Sequence, residues 1–147
     1  IKLIDCFSFL EDSIAKKGNI TKKAPSAGQL EDIKFAKPLI KKIAFMRIGQ
    51  SIAVKDKSVL AVESMEGTDS MIKRAGRLAG EGVVIVKMSS PRQDMRFDMP
   101  IVGPETVDAM KEAKAGCLAI EAGRTLFIDR DEFTKKADEA GICVVAI

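Results

Sequence analysis

The stretch GVVIVKM, residues 82–88, decides the fold. Residues 83–86 of this stretch are all Val or Ile, with no polar residue between them, which is typical of a strand that is buried on both faces. A strand of this kind lies inside a sheet whose two faces are both covered. We therefore expect the rest of the chain to supply neighbouring strands and flanking helices.

The segments around this run alternate between strands and helices. Two apolar runs, 50–55 and 58–63, flank Asp56-Lys57 and predict a β-hairpin. Periodicity and glycine positions predict helices over 68–79, 104–115 and 131–140, and strands over 117–121, 125–128 and 142–146. The alternation predicts an α/β fold with a mixed, mostly buried sheet and flanking helices.

The first third of the chain has a helical pattern of its own. Apolar residues recur at helical spacing over 3–17, and a polar stretch follows over 19–29. Ser26 and Gln29 have the spacing of a capping box for a second helix that reaches residue 46. Pro38 lies inside that helix and predicts a kink or a break.

The change of pattern near residue 49 predicts two parts. We expect an N-terminal helical lead-in or linker over 1–48 and an α/β catalytic domain over 49–147. The whole chain has the length of one domain. Because it begins with Ile rather than Met, we also expect a missing N-terminal partner domain.

The composition excludes several functional classes. The chain has no histidine, so a Ser-His-Asp triad, a Cys-His pair and His-containing zinc sites are all excluded. Phe supplies all the aromatic residues and the net charge is only +3, so a nucleic-acid partner is not expected. Cys6, Cys117 and Cys143 lie far apart in apolar runs and predict buried free thiols in a reducing, cytoplasmic compartment.

Three predicted strands end in a charged residue, namely Glu63, Lys87 and Glu121. The carboxyl ends of strands in open α/β sheets face the ligand crevice, so these side chains are candidates for binding. The alternative is that the strands simply leave the core for solvent at these points. Arg124, which follows a predicted turn at Gly123, is a candidate for a phosphate contact or an ordinary surface arginine.

The segment Glu66-Gly67-Thr68-Asp69 joins a predicted strand to a predicted helix. The free amides of a helix N-terminus bind phosphate, and Gly67 allows a close approach of the backbone. Glu66 and Asp69 would then need a bridging cation. The alternative is an ordinary helix start, which Thr68 caps and acidic residues stabilise.

The segment DMRFDM, residues 94–99, alternates strictly between charged and apolar residues. In an extended chain Asp94, Arg96 and Asp98 share one face, with neighbouring side chains on it ~7 Å apart. Such a row can hold Mg²⁺ or orient a water, while arginine neutralises phosphate oxygens. The alternative is an edge strand with a solvated, self-paired charged face.

Five segments in order then show a resemblance: Gly49-Gln50, the run LAVESMEGTD (60–69), QDMRFDMP (93–100), Gly103-Pro104-Glu105-Thr106, and Glu121 to Thr125. Together they resemble the C-terminal domain of the LpxI-type UDP-2,3-diacylglucosamine pyrophosphatases, over essentially the whole chain. Two features depart from that pattern: Arg47 stands where an acidic residue is expected, and Ser90-Pro91-Arg92 is atypical.

The resemblance implies a Mg²⁺-dependent hydrolase of lipid A biosynthesis that cleaves UDP-2,3-diacylglucosamine to UMP and 2,3-diacylglucosamine 1-phosphate (lipid X). Metal-assisted water attacks the α-phosphorus. The resemblance also implies a two-domain protein that holds the acylated sugar between its domains. We expect a homodimer in the cytoplasm of a Gram-negative-type bacterium, with transient contact at the inner membrane.

The resulting hypothesis gives each candidate a role. The catalytic residues are Asp94, Asp98 and Arg96. The metal ligands are Asp94, Glu66 and Asp69, and the substrate-binding residues are Gln50, Glu63, Gly67, Thr68, Lys87 and Arg124. Two other functions stay open: a non-catalytic nucleotide-sugar or phosphosugar binding or regulatory domain, and a structural or oligomerisation domain.

Overall fold

The computed structural model of the chain describes residues 10–94 and 98–147. The strands in these residues are β1 (Gly18–Asn19), β2 (Ser51–Lys55), β3 (Ser58–Val62), β4 (Val84–Lys87), β5 (Ile101–Val102), β6 (Cys117–Ile120), β7 (Leu126–Phe127) and β8 (Cys143–Ala146). The helices are α1 (Ala27–Phe45), α2 (Thr68–Ala79), α3 (Pro104–Glu112) and α4 (Arg130–Glu139), and a short 3-10 helix spans Glu11–Ser13. The α/β class that the sequence predicts is confirmed.

Six of these described strands form one mixed sheet in the order β1-β8-β6-β4-β2-β3. Strands β4, β6 and β8 are parallel, whereas β2 is antiparallel to β3 and β4, and β1 is antiparallel to β8. Strand β4 lies between β2 and β6, and all of its residues are buried, as the run 82–88 predicts. Strands β5 and β7 form a separate parallel pair.

Alternate residues of the sheet pack into two different cores. Ile52 and Val84 pack with residues of α1 on one face. Ala53 and Ile85 pack with residues of α2, α3 and α4 on the other face. Full burial of each Val or Ile contributes about 1.5–3 kcal/mol to the free energy of unfolding. Because both faces of the sheet are covered, a polar residue at an alternate position of the strand would not reach solvent.

The hairpin predicted around Asp56-Lys57 is confirmed, and α1 stabilises its turn. Asp56 and Lys57 have φ values of +50° and +56°, in the left-handed region that a two-residue hairpin turn requires. The buried carboxylate of Asp32 accepts the backbone N–H of Asp56 at 3.1 Å and that of Lys57 at 2.7 Å. A helix side chain therefore holds a turn in which Lys57 occupies a position that usually requires glycine.

Helix α1 begins at the predicted capping box. The Gln29 N–H donates to Ser26 Oγ at 3.2 Å, and the Ser26 N–H donates to Gln29 Oε1 at 2.9 Å. The predicted break at Pro38 is wrong, because the helix continues to Phe45 with Pro38 on its exposed side. The kink stays a prediction. Buried residues such as Ile40 pack α1 onto the sheet, so this helix shares the core of residues 49–147.

The helix predicted over 3–17 is wrong beyond Ser13, where the short 3-10 helix ends, and the part of it over 1–9 lies outside the described residues. Ile14 forms an antiparallel bridge with Leu126, and the Ala15 N–H donates to the Thr125 carbonyl at 2.9 Å. These pairings with distant backbone groups replace the local hydrogen bonds of a helix.

The described cysteines agree with the sequence-based prediction. Cys117 and Cys143 are free and buried, on neighbouring strands of the sheet. Cys6 lies outside the described residues. Among the helices of the described residues, none is both long and apolar enough to cross a bilayer.

Candidate functional site

One edge of the sheet collects the charged strand ends that the sequence singles out. Strands β3, β4 and β6 run in the same direction, because β2 is antiparallel to both β3 and β4. Their carboxyl ends bring Glu63, Lys87 and Glu121 to one edge. The amino end of β2 brings Gln50 and Ser51 to the same edge. Ligands of open α/β sheets bind at this kind of edge.

The hydroxyl of Thr68 joins Lys87 to Glu63. Lys87 Nζ donates to Thr68 Oγ1 at 2.8 Å, and Thr68 Oγ1 donates to Glu63 Oε1 at 2.8 Å. Ser51 Oγ lies 3.3 Å from Thr68 Oγ1, and the Gln50 backbone N–H donates to Glu63 Oε2 at 3.2 Å. This network fixes the first residue of α2 against the ends of β2 and β4.

Lys87 is a buried cation rather than a strand end that reaches solvent. The residue is 8% exposed. Burial lowers the pKa of its ammonium below the usual value, and the negative charges of Glu63 and Asp69 oppose that shift. A charge with so little water around it interacts strongly with any anion that enters the site.

A cleft of about 380 Å³ opens at the amino end of α2, and we call it the α2 cleft. Gly67, Thr68, Asp69 and Lys87 line it. Gly67 has a φ of +82°, which favours glycine at the point where the chain enters the helix. The amides of the first helical turn and the Lys87 ammonium attract an anion, whereas the Asp69 carboxylate disfavours one unless a cation lies between them.

A second cleft has a volume of about 510 Å³, and we call it the Asp94 cleft. Its walls come from the end of α1 with the residues that follow it, and from the segment after β4. The lining residues are Ala44, Arg47, Gly49, Gln50, Ser90, Arg92, Gln93, Asp94 and Asp98.

The prediction of an extended row is wrong for Asp94 and Asp98, the two ends of that row. The Asp98 N–H donates to the Asp94 carbonyl at 3.0 Å, whereas an extended segment would hold the two Cα atoms about 13 Å apart. Both aspartates line the same cleft. The predicted role of Arg96 lies outside the described residues.

The oxygen donors predicted to bind metal fall into both clefts. Asp94 and Asp98 line the Asp94 cleft, and Asp69 lines the α2 cleft. Within residues 10–94 and 98–147, no three His, Cys, Asp or Glu side chains are grouped as a metal site. Mg²⁺ needs only one or two carboxylates, since waters and substrate phosphates complete its shell. The pair Asp94 and Asp98 fits that requirement by its chemistry.

Glu66 fits a metal site less well than the aspartates. Its carboxylate forms an ion pair with the guanidinium of Arg74, which also donates to the Val62 carbonyl at 3.0 Å. The hydrogen bond from Arg74 lowers the pKa of Glu66. A metal would have to displace this arginine to bind both oxygens of Glu66.

Glu121 and Arg124 follow the carboxyl end of β6, on the other side of β4 from Glu63. Glu121 Oε2 accepts the Ser89 backbone N–H at 2.9 Å and the Ser89 hydroxyl at 2.5 Å. Arg124 Nε lies 3.9 Å from the same oxygen and is buried without a hydrogen-bond acceptor in the described structure. Arg124 therefore joins the strand ends at this edge, with an N–H still available to an acceptor.

The sequence-based site omits the two arginines of the Asp94 cleft. Arg47 and Arg92 lie 45 positions apart, yet both line this cleft. Both arginines occur in the segments that depart from the pattern of the resembled family. Those two departures were the sequence feature that could have drawn attention to them. The ring of Phe45 lies under Arg92, with the guanidinium carbon 4.0 Å from the ring centroid.

Comparisons with known proteins give a consistent match. The family model described as the LpxI C-terminal domain matches residues 16–145. The chain is 34% identical over 141 residues to a protein named UDP-2,3-diacylglucosamine pyrophosphatase LpxI, from Caulobacter vibrioides. That alignment covers 89% of this chain and 50% of the relative, so the chain spans about half the length of the curated relative that it matches.

A solved structure shows a weaker likeness. It is a diaminohydroxyphosphoribosylaminopyrimidine deaminase/5-amino-6-(5-phosphoribosylamino)uracil reductase from Thermotoga maritima. The TM-score is 0.45 at 14% identity, over 80% of this chain and 36% of that chain. This score does not establish a common fold.

Proposed function

The chain belongs to the LpxI C-terminal domain family, and from this premise we propose that it forms the catalytic part of a UDP-2,3-diacylglucosamine pyrophosphatase. The reaction hydrolyses the pyrophosphate bond and gives UMP and 2,3-diacylglucosamine 1-phosphate (lipid X), an intermediate of lipid A biosynthesis. Water attacks the α-phosphorus. Because the chain spans 50% of the relative, the proposal includes a second domain that helps to hold the acylated sugar.

The buried Lys87 beside the N-terminus of α2 is the observation that carries this proposal. Its Nζ is held on Thr68 Oγ1 at 2.8 Å, in a cleft that also contains the first amides of the helix. A pyrophosphate linkage carries anionic oxygens that such a cluster of donors stabilises. Stabilisation of the charge that develops at phosphorus supplies much of the catalysis in reactions of this class.

The proposal gives the side chains of this chain two roles, phosphate binding and orientation of the attacking water. Lys87 and the free amides of the first turn of α2, the Thr68 N–H included, bind phosphate oxygens. The Thr68 hydroxyl donates to Glu63 and accepts from Lys87, so it holds the ammonium in the cleft. Asp94 accepts a hydrogen bond from the attacking water and orients it towards phosphorus, with Asp98 as its partner.

The remaining candidate residues neutralise the charge of the phosphate or hold other side chains in position. Arg124 and Arg96 neutralise the phosphate oxygens as negative charge accumulates on them. Gln50 holds Glu63 through its backbone N–H, at 3.2 Å. Glu63 is thus a positioning residue for Thr68 in this scheme, whereas Arg124 touches the substrate.

The proposal assigns Mg²⁺ as the cofactor. Asp94 with Asp98, and Asp69 from the other cleft, are the oxygen donors that would hold it, and Glu66 would join them only after release from Arg74. When bound, the ion supplies Lewis-acid polarisation of phosphoryl oxygens and raises the acidity of water.

The proposal also places the reaction at the cytoplasmic face of the inner membrane, because the substrate carries two acyl chains. Phe45, Met46 and Ile48 are exposed by 45%, 59% and 49% at the end of α1, next to Lys41 and Lys42. Exposed apolar side chains flanked by lysines are typical of transient contact with an anionic bilayer surface. The homodimer stays a prediction.

A second candidate is a non-catalytic nucleotide-sugar or phosphosugar binding domain. It is favoured by one observation, that the α2 cleft brings the buried ammonium of Lys87 together with the first amides of α2, which bind an anion without a metal. Such a domain would use the α2 cleft and the arginines without needing a metal.

Release of UMP separates the two functions. The protein in its natural full length is incubated with UDP-2,3-diacylglucosamine, with Mg²⁺ present or chelated. We expect Mg²⁺-dependent release of UMP, and a loss of about 10²-fold or more in Asp94→Asn, which keeps the side-chain shape but removes the charge.

Asp131→Asn is the matched control, because Asp131 is an exposed residue in the first turn of α4. Its activity should equal that of the wild type. Tight binding of UDP-2,3-diacylglucosamine without any release of UMP would instead establish the binding domain.

A further inference from the structure

Arg74 is outside the lining of the α2 cleft, but it holds a residue that lines it. Its guanidinium binds both oxygens of the Glu66 carboxylate: Nε donates to Oε2 at 3.2 Å, and Nη2 donates to Oε1. Nη2 also donates to the Val62 carbonyl at 3.0 Å. Long side chains of a helix point back towards its N-terminus, so an arginine in the second turn of α2 reaches the chain in front of the helix. Arg74 therefore connects α2 to the end of β3 and to the loop between them.

This contact changes the charge of the α2 cleft. The charged side chains among the described residues that line it are Glu66, Asp69 and Lys87. Two carboxylates and one ammonium would give the cleft a net negative charge, which repels an anion. The hydrogen bond from Arg74 lowers the pKa of Glu66, so this carboxylate stays ionised while the guanidinium compensates its charge. The cleft is then close to neutral, and the first amides of α2 can attract a phosphate.

The contact also keeps Glu66 away from those amides. Glu66 lies directly before Gly67, the residue that caps the start of α2. In the described part of the loop the neighbouring Met65 is fully exposed, and the Gly67 N–H makes a long hydrogen bond of 3.4 Å to the Ser64 carbonyl. An unpaired carboxylate at this place would be drawn to the positive end of the helix. It would then occupy the position of a phosphate oxygen.

We infer that Arg74 is a positioning residue of the α2 cleft, which compensates Glu66 and holds it clear of the helix amides so that a phosphate can bind there. The inference rests on the part of the proposed function that places phosphate oxygens in this cleft. The side chains of Arg74 and Glu66 are 38% and 30% exposed. An ion pair so accessible to water stabilises a fold only weakly, and its main effect is on the charge of the cleft.

The test measures binding of inorganic pyrophosphate to the protein in its natural full length by titration calorimetry, at low salt and with divalent cations chelated. Arg74→Gln leaves the Glu66 carboxylate without its partner and should weaken pyrophosphate by about tenfold or more, because an uncompensated negative charge then faces the anion. The double variant Glu66→Gln/Arg74→Gln has no carboxylate to compensate, so its affinity should return close to the wild-type value. Glu66→Gln alone should bind pyrophosphate at least as tightly as the wild type.

A purely structural role of Arg74 predicts a different order. Both variants that lack Arg74 lose the hydrogen bond to the Val62 carbonyl, so the double variant would then bind pyrophosphate no better than Arg74→Gln. That result would overturn the inference, as would weaker binding by Glu66→Gln alone. Lys73→Gln is the matched control, because it removes the neighbouring cation of α2 and an ion pair with Glu112, at 2.6 Å, beside a different cleft. Its pyrophosphate affinity should equal that of the wild type.

Ionic strength gives an independent readout. The difference in pyrophosphate affinity between the wild type and Arg74→Gln should shrink in about 1 M NaCl, where the screening length falls to about 3 Å. A difference of equal size at low and high salt would indicate a change in the shape of the cleft rather than in its charge, and the inference would be wrong.

Release of UMP distinguishes this inference from the proposed function. If the wild type releases UMP but the double variant binds pyrophosphate as weakly as Arg74→Gln, the hydrolase stands and the role of Arg74 is wrong. If pyrophosphate binds in the expected order but no UMP is released, Arg74 keeps its role in anion binding and the catalytic function is wrong. If the wild type does not bind pyrophosphate, the α2 cleft is not an anion site and the inference is overturned.

Discussion

Lys87 Nζ lies 2.8 Å from Thr68 Oγ1, so the last residue of the central strand β4 is tied to the first residue of α2. The contact brings a buried positive charge to the amino end of a helix, where the backbone already favours anions. Two sources of positive potential then act on one cleft. This arrangement does not stabilise the fold, because a buried ammonium beside a helix N-terminus lowers the free energy of unfolding.

Lys87→Met should therefore separate activity from stability. Removal of the buried charge is expected to keep or raise the free energy of unfolding, measured in urea. The pKa of Lys87 is lowered because desolvation of the ammonium outweighs its attraction to Glu63 and Asp69, and Met fills similar space without a charge. UMP release should fall by about 10²-fold or more, since a charge that stabilises phosphate oxygens is lost.

Lys111→Met on α3 is the control, because Lys111 is an exposed lysine. It should leave both quantities unchanged. A Lys87→Met protein with activity within about tenfold of the wild type would exclude Lys87 from the catalytic step, given the usual cost of losing such a group.

The buried Lys87 also predicts a pH dependence of stability. Its pKa in the folded state is lowered, chiefly by burial, from the ordinary 10.5. Between the folded-state pKa and 10.5 the unfolded chain binds more protons at this residue, so rising pH favours the folded state. Compared with Lys87→Met, the wild type should gain stability as the pH rises through this window.

Urea unfolding of both proteins at a series of pH values up to about 10 measures this effect, since that range approaches the unfolded pKa of lysine. The difference between the two free energies of unfolding should change in favour of the wild type as pH rises. A difference that stays constant with pH would mean that Lys87 keeps its ordinary pKa in the folded state.

The elements that the sequence predicts well are those with a local cause. The run 82–88 predicts β4 because a strand that is buried on both faces has apolar residues at successive positions. Ser26 and Gln29 predict the start of α1 because the capping box needs only residues within one helical turn. The helix over 68–79 is confirmed with the same bounds.

The parts that the sequence misses depend on distant residues. The burial of Lys87 requires the start of α2, and the Asp94 cleft requires Arg47 and Arg92 to meet from separate segments. The alternation over 94–99 predicts an extended chain, but a six-residue pattern is short evidence for one. The hydrogen bond from the Asp98 N–H to the Asp94 carbonyl does not fit the spacing of these two residues in an extended chain.

Asp32→Ala should destabilise the β2–β3 hairpin from a distance in sequence. The Asp32 carboxylate accepts the N–H groups of Asp56 and Lys57, and it is 6% exposed. Loss of an ionised acceptor leaves both amides unsatisfied, at a cost of about 2–3 kcal/mol in the free energy of unfolding.

Urea unfolding followed by circular dichroism measures that cost. Glu31→Ala is the neighbouring control: its exposed ion pair with Lys57, at 3.6 Å, is worth less than about 1 kcal/mol. Equal effects of Asp32→Ala and Glu31→Ala would show that the carboxylate does not hold the turn.

Gly49→Ala should damage both the fold and the site, because Gly49 packs directly against the backbone at Glu63. A Cβ at this position would lie 2.0 Å from the Glu63 carbonyl oxygen, which cannot move without displacing the end of β3. Such overpacking costs about 1–3 kcal/mol of stability. The displacement would also break the hydrogen bond from the Gln50 N–H to Glu63 Oε2 and release Thr68, so UMP release should fall as well.

Gly28→Ala provides the matched comparison, because a Cβ on Gly28 would meet no atom within 4 Å and the residue is in the first turn of α1. This substitution should be neutral or stabilise the protein by up to about 1 kcal/mol, since alanine loses less backbone entropy than glycine in a helix. Thermal unfolding and UMP release are measured for both variants. If Gly49→Ala behaves like Gly28→Ala in both measurements, the close contact between Gly49 and Glu63 does not position the site.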